Sequence, residues 1–571
     1  MIVPKVRAWL ACLAVGGMPM LLQACTFWAD PGPLGAAALA RYGAPEVDLT
    51  RPPGYDAQIA ALDTLGPTAA QAADPLPEGL AFVPEPPLDG VDPSGPLRLS
   101  VEEAVILALR NNRSLSVEQL NPVIAGTFED VERAVYDPEV FADGALTREE
   151  VQQTDRATGQ LFSVTGEGSG LRVGGRQLFP TGTDVELSLT QDRDDSDRTP
   201  EQNSTRVGLT LTQALLQGAS LEANLARIRQ AEIDTLASVY ELRGFAELLV
   251  ADVELTYWDY VLARRQIEIF EQSLEVARQQ QLETERRINV GQLAETELAS
   301  ARAEVALREQ LLIDARSALE RTRLQLLRLL DPSSAAGWAR PIQAVDEPVL
   351  PDLPRDQVED HVALGLRLRP DLNQARLQVQ RGRLEVVQTR NGLLPVLDLF
   401  ITLGKSGYAA SFGDSFRSID DPGYDLAVGI QAAYPIGNRA AQALNRRALA
   451  SRDQAAESVG NLAQLVSLDV RTAWLELERA RQQVSASAVT RSAQEEVVRA
   501  ELAKFAVGNA TSFTVAQAQR DLLEARIAEV EAAVAYRQAL VELYRLEGTL
   551  LERRGIAAPG GRPIEIGLPA S

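Results

Sequence analysis

Cysteine is missing from everything past residue 25 of this 571-residue chain; the two present are Cys12 and Cys25. The body therefore holds no disulfide framework, no cysteine-ligated zinc and no thiol nucleophile. Histidine is nearly as scarce: the single one, His361, reads as a satisfied buried or exposed residue before it reads as a ligand. Basic charge is in deficit, with 56 Lys and Arg against 79 Asp and Glu and a net charge of -23. That balance argues against a nucleic-acid partner, because phosphate neutralisation needs a basic surface. Acidity by itself confers solubility and cation preference, not a function. Beyond the first 25 residues there is no run of about 20 apolar residues, so no transmembrane helix is expected. No base–nucleophile pair stands out to support catalysis, and the chain is read as a non-enzyme. Aromatics make up only 5% of the chain, whereas Ala, Leu, Arg, Glu and Gln dominate, the composition of long helices in repeated packing.

What is present begins with an address. Lys5 and Arg7 precede an apolar run from Trp9 to Leu22, and small Ala24 precedes Cys25, which is secretory-signal organisation. Leu22-Gln23-Ala24-Cys25 resembles a bacterial lipobox, which implies cleavage before Cys25 and a diacylglyceryl thioether on its sulfur. Thr26 follows where an Asp would imply retention at the inner membrane, so sorting to the outer membrane is implied. No other cofactor or metal is expected. Residues 26 to about 95 are rich in Pro, Ala, Gly and Asp, as in Pro84-Glu85-Pro86-Pro87, and read as an extended tether with little core of its own.

The body is one unit written twice. Ser100 to Glu103 and Asp356 to Glu359 both open apolar runs with a capping-box pattern. Leu115 and Leu372 stand 257 residues apart, as do Pro138 and Pro395. Later markers repeat at a smaller shift: Tyr257-Trp258 matches Ala473-Trp474, and Arg287 to Gly291 matches Lys504 to Gly508. The first copy thus holds about 40 more residues ahead of its long helix, judged by the difference between these shifts. Each copy reads as a short helix, a strand region, a long helix, a glycine turn and a short helix. Helices are predicted over about 100–136, 221–289 and 293–330, and again over 356–392, 439–506 and 512–550. Between them, residues 185–190 and 207–212 alternate cleanly with period two, and 396–401 and 426–430 less strictly. Phe179 to Thr183 looks like a hairpin turn that adds an extra pair of strands, with its place left open.

A helix of about 68 residues spans roughly 100 Å, and each short one about half that, so two short helices end to end match one long one. Such helices need neighbours along their whole length to bury their apolar stripes. Two main strands per copy make four, too few to close a barrel. An open sheet edge cannot lie in lipid, so several chains must share one barrel.

From about residue 98 to 552 the chain resembles the TolC-type outer-membrane factor family. The motifs that carry the resemblance are the two Arg/Lys-x-x-Val-Gly turns, Asn111-Asn112, Tyr136-Asp137-Pro138 and the duplication, alongside the lipobox. The resemblance implies a mainly α fold with a β-barrel part. Duplicated long-helix hairpins form an α-helical barrel, and antiparallel strands contribute to a trimeric 12-stranded outer-membrane β-barrel. It also implies a homotrimer, passive export of solutes or polypeptides, and docking of a periplasmic adaptor protein with an inner-membrane pump behind it. The docking turns map to Val290-Gly291-Gln292 and Val507-Gly508-Asn509. Some family members carry acids at the tunnel entrance where this chain has Thr514 and Gln517, the nearest acid being Asp521. The expected organisation is a lipoprotein signal peptide (1–24), a lipidated tether (25–97), a first repeat (98–332), a linker (333–355), a second repeat (356–552) and a flexible tail (553–571). The competing reading is a lipid-anchored periplasmic coiled-coil adaptor or scaffold. Neither the cargo nor the particular pump is written in the sequence.

Overall fold

The computed structural model describes residues 96–154, 156–198, 200–331, 335–350, 357–560 and 564. The expected signal peptide, Cys25 and nearly all of the tether lie outside the described residues. Strand β1 (Leu97–Leu99) leads into helices α1 (Val101–Asn111) and α2 (Arg113–Arg133). Four long strands follow: β2 (Glu139–Thr154), β3 (Leu161–Leu178), β4 (Thr183–Ser196) and β5 (Gln202–Ala214). Next come the short α3 (Leu221–Asn224), the long α4 (Ala226–Asn289), α5 (Thr296–Leu330), the short α6 (Ala335–Trp338) and β6 (Ile342–Ala344). The second half runs α7 (Val358–Leu368), α8 (Pro370–Asn391), β7 (Val396–Ala409), the short α9 (Phe412–Arg417) and β8 (Tyr424–Ala433). It ends with α10 (Arg439–Ala506), α11 (Ser512–Glu547) and the short α12 (Leu550–Arg553).

The expected helices are all present, but the first helix of each copy is broken. Ser100 caps α1 with the anticipated box: its Oγ accepts from the Glu103 amide at 3.2 Å, and the Glu103 carboxylate accepts from the Ser100 amide at 2.8 Å. In the second copy the helix starts later, with Gln357 at the N-cap; Asp356 lies outside the described residues. The breaks fall at Asn112 and Arg369, 257 residues apart. Asn112 is extended, and its Oδ1 accepts from the Leu115 amide at 3.1 Å, restarting the helix as α2. Arg369 precedes Pro370, whose ring disfavours the α conformation in the residue before it.

These breaks are where short helices meet end to end. α5 stops at Asp331 and α11 at Gly548, both in the left-handed conformation with φ of 44° and 70°, and 217 residues apart. Asn112 Nδ2 donates to the Leu329 carbonyl at 3.0 Å, tying the α1–α2 junction to the end of α5. Gly548 sits against Arg369, so close that a Cβ there would lie 2.9 Å from the Arg369 Cα. One copy secures the joint with an asparagine, the other with a glycine. In the result, α2, α4, α8 and α10 lie side by side in one half of the layer, and α5, α4, α11 and α10 in the other. The long helices α4 and α10 run through both halves, about 95–100 Å at 1.5 Å per residue.

The main core lies at the joint. Leu109, Leu115, Val253, Tyr257, Val261, Leu326, Leu327 and Leu550 are buried together there. β1 pairs in parallel with β6 beside it, and the Tyr257 hydroxyl donates to the Leu99 carbonyl or to Asp346, at 3.0 and 2.9 Å. The linker 333–355 therefore supplies a strand and ties the halves together. The stretch 553–571, expected to be a flexible tail, is packed where it is described. Arg554 pairs with the fully buried Glu254 through two 2.6 Å hydrogen bonds, Ile556 and Ala558 lie on the main core, and the Ile564 amide donates to Asn373 Oδ1. A buried carboxylate needs a counter-charge, and this segment brings the arginine that is hydrogen-bonded to it.

The strands form one antiparallel sheet in the order β2-β3-β4-β5-β7-β8. The anticipated hairpin turn is there: the Phe179 amide donates to the Thr183 carbonyl at 2.8 Å, and Gly182 takes φ of 76°. Its consequence is that the extra pair, β2 and β3, belongs to the same sheet as the rest. Among the described residues no helix is long and apolar enough to cross a membrane.

Candidate functional site: the hairpin tips and the long sheet

Two features stand clear of the core, at opposite ends of the long helices. The first is the pair of turns joining α4 to α5 and α10 to α11. At the first, the Gly291 amide donates to the Ile288 carbonyl and the Gln292 amide to the Arg287 carbonyl, at 2.9 and 2.8 Å. At the second, the Gly508 amide donates to Phe505 and the Asn509 amide to Lys504, at 3.2 and 2.8 Å. Both are the helix-ending motif in which a left-handed residue lets two orphan carbonyls find donors, with φ of 74° at Gly291 and 80° at Gly508. Val290 and Val507 project at 68% and 72% exposure, and Gln292 and Asn509 are exposed beside them. The turns are thus identical in construction and present an apolar residue and an amide side by side.

Thr514, Gln517 and Asp521 share one face of the first turns of α11. Thr514 Oγ1 donates to the Thr511 carbonyl, and Gln517 Nε2 donates to Asp521 at 2.8 Å. Arg520, which no sequence motif marks, ties this region to the other hairpin. It donates to Gln517 at 2.7 Å and pairs with Glu304 on α5. Glu304 also lies 3.5 Å from the buried Arg308, whose pKa burial lowers while Glu304 offsets part of that effect. Arg287 on α4 lies with its guanidinium 4.9 Å from the centre of the Phe505 ring on α10. These ties join residues far apart in sequence with no local pattern, although Arg287 and Phe505 sit within the repeated turn motif itself. His361 has a structural role: it is buried and hydrogen-bonded to the buried Glu547.

The second feature is the sheet, whose registers sort its residues onto two faces. Leu187, Leu209, Leu403 and Leu426 fall in one row across β4, β5, β7 and β8, and Val185, Leu211, Ile401 and Val428 in the next. Val140 and Val173 continue this apolar face on β2 and β3. The opposite face carries Arg176 with Glu139 at 2.7 Å, Arg172 with Glu186, and Arg206 with Asp425 at 2.6 Å. Glycine and threonine fill the space between these pairs. One apolar and one polar face, alternating along each strand, is the pattern of a sheet with lipid on one side and water on the other. The run from Asp192 to Asp197 lies along β4 and the bend after it. Neighbouring strand side chains there point to opposite faces, and among the described residues no acidic or histidine group is placed to hold a metal ion. Gly404-Lys405-Ser406, whose order echoes a phosphate loop, lies in mid-strand on β7 and forms no such loop.

Comparison with known proteins agrees with this geometry. The family described as outer membrane efflux protein matches residues 171–331 and 364–549, one segment in each copy of the repeat. The proteases secretion protein PrtF of Dickeya chrysanthemi is 23% identical over 352 residues, 60% of this chain and 73% of that protein. The CmeC outer membrane channel of Campylobacter jejuni superposes with a TM-score of 0.58 at 16% identity, over 79% of this chain and 86% of CmeC. The outer membrane protein VceC of Vibrio cholerae does so with a TM-score of 0.58 at 15% identity, over 78% and 96%. With both halves of the duplicated body matched and the fold shared, the chain belongs to the outer membrane efflux protein family.

Proposed function

We propose that three copies of this chain, each lipidated at Cys25, form an outer-membrane exit duct that passively conducts solutes or polypeptides from a helical tunnel to the outside. The observation that carries this is the sheet: one apolar face, one polar face and two edges unpaired among the described residues, mounted on helices about 100 Å long. Such edges are unstable in hydrocarbon unless other chains complete the ladder. A second feature agrees. On α2, Val117, Leu120, Ile124, Phe128 and Val131 form an exposed stripe at helical spacing, which Val135 continues in the single 3-10 turn after it. It points away from the Leu115 and Pro122 side that is buried against α4, in the direction where the next chain's helix layer would continue.

The turns at Val290-Gly291-Gln292 and Val507-Gly508-Asn509 are the docking points for a periplasmic adaptor, through which an inner-membrane pump supplies energy and selects cargo. Thr514, Gln517 and Asp521 line the tunnel entrance, where the lack of an acid at the first two positions leaves little to attract or trap a cation. No residue of the duct performs chemistry.

Detergent extraction of the outer-membrane fraction followed by native mass measurement tests the assembly: a trimer carrying lipid on Cys25 is expected, and a water-soluble monomer refutes the proposal. Val290→Asp with Val507→Asp tests docking. The trimer should remain intact while co-purification with the adaptor is lost; unchanged co-purification removes the tips from that role.

A further inference from the structure

We infer that the membrane segment of this protein is an eighteen-stranded barrel, six strands from each of three copies, closed by pairing β8 of one copy with β2 of the next. The inference rests on the trimer proposed above and concerns what that trimer encloses. A barrel of twelve strands, as the family resemblance implies, would use only β4, β5, β7 and β8 and close on the edge of β4. That edge is occupied. β3 is paired along it from Gly166 opposite Ser196 to Leu178 opposite Asp184, and Arg172 on β3 pairs with Glu186 on β4 across the same ladder. Among the described residues the free edges are those of β2 and β8.

The first pair also carries the chemistry of a membrane wall. β2 and β3 place Val140, Leu146, Leu171 and Val173 on the apolar side, Val140 and Leu146 at 82% and 88% exposure. Arg172, Arg176 and Glu139 lie on the polar side. Folded away from the barrel, β2 and β3 would leave those apolar side chains in water.

Size gives an independent argument. With strands about 4.8 Å apart and tilted by about 40°, eighteen strands close at a circumference of about 113 Å, and twelve at about 75 Å. The helix layer is four helices wide per chain. Twelve helices at 9–10 Å spacing close at about 108–120 Å. The eighteen-stranded wall thus matches the circumference traced by the helix axes. The membrane segment is then no narrower than the helical tunnel, and its polar lumen, lined by threonine, serine, glycine and paired charges, suits bulky hydrophilic cargo. Barrels of 16–18 strands enclose a true aqueous channel.

Spin-label distances in the intact protein test this. Thr210→Cys and Leu209→Cys sit side by side on β5 and point to opposite faces, so the mean of their distances approximates the backbone separation. Labelled trimers in detergent, measured by double electron–electron resonance with the parent chain as control for Cys25, should give a mean near 31 Å between three-fold-related sites. A twelve-stranded barrel would give about 21 Å. Thr402→Cys and Leu403→Cys on the neighbouring β7 repeat the measurement if either β5 variant fails to assemble. A trimer by mass with a mean near 21 Å overturns the eighteen-stranded barrel and leaves the duct standing. A parent chain that is monomeric by mass overturns the trimer itself.

Discussion

Replacing Phe128 by alanine should weaken the trimer by an amount that can be worked out beforehand. In the single chain Phe128 is 60% exposed on the α2 stripe, between Ile124 and Val131. Burying a whole phenylalanine side chain is worth roughly 1.5–3 kcal/mol, so covering this remaining exposure contributes about 1–2 kcal/mol at one interface. A three-fold ring repeats the contact three times, which brings the loss to about 3–6 kcal/mol per trimer. At about 1.4 kcal/mol per factor of ten, the equilibrium constant for dissociation into single chains should rise about 10²- to 10⁴-fold. Native mass spectrometry or mass photometry of the detergent-solubilised protein, diluted in series, reads this as a higher concentration for half-dissociation. Glu118→Ala, about a quarter of the way around the same helix, should leave the curve unchanged. If Phe128→Ala dissociates at the same concentrations as the parent chain, the stripe is not an interface, and the reasoning that the helix layer continues into a second copy fails.

Arg554→Leu should destabilise the protein by about 3–5 kcal/mol in chemical denaturation, because it removes both hydrogen bonds and the paired charge from the fully buried Glu254; the double variant Glu254→Leu with Arg554→Leu should recover most of that loss. Gly508→Ala should cost about 1–2 kcal/mol for its left-handed backbone alone, since its surroundings are open. Gly548→Ala should lower the melting temperature further, because its new methyl meets the Arg369 backbone as well. Burial raises the Glu247 pKa from 4.5 to about 8, with Arg243 opposing the shift at 3.2 Å and Glu552 adding to it. Its folded value lies above its unfolded one, so its contribution to stability is full below about pH 4.5 and fades as pH rises to about 8. Thermal melts should accordingly show Glu247→Gln gaining on the parent chain as the buffer moves from pH 6 to pH 9, and parallel curves at both pH values would contradict this.

The duplicated architecture was legible because its signals are local and repeated. Helical periodicity, the Val-Gly turns and the period-two strands each need only a few neighbouring residues, and the expected helices appear with ends shifted by a few residues while the strands run well beyond their alternating stretches. The site was legible in part. Gly291 and Gly508 announced their turns, because only glycine takes φ near 75–80° without strain. Arg520 with Glu304 and Arg287 with Phe505 could not be read, since each joins residues more than 200 positions apart in sequence. The breaks at Asn112 and Arg369 had a local cause in a capping side chain and a following proline. The unbroken apolar periodicity on either side concealed them.

Composition and pattern alone determined that this chain forms long paired helices with a few amphipathic strands, because both follow from spacing along the chain. The tertiary structure decided how many strands share one sheet, which of its edges stay open and what the C-terminal segment does. β2 and β3 have weak alternation and many glycines, and only their ladder with β4 shows them to be part of the wall. Likewise, nothing near Arg554 in sequence reveals its partner, because the need for it arises from a carboxylate buried 300 residues earlier.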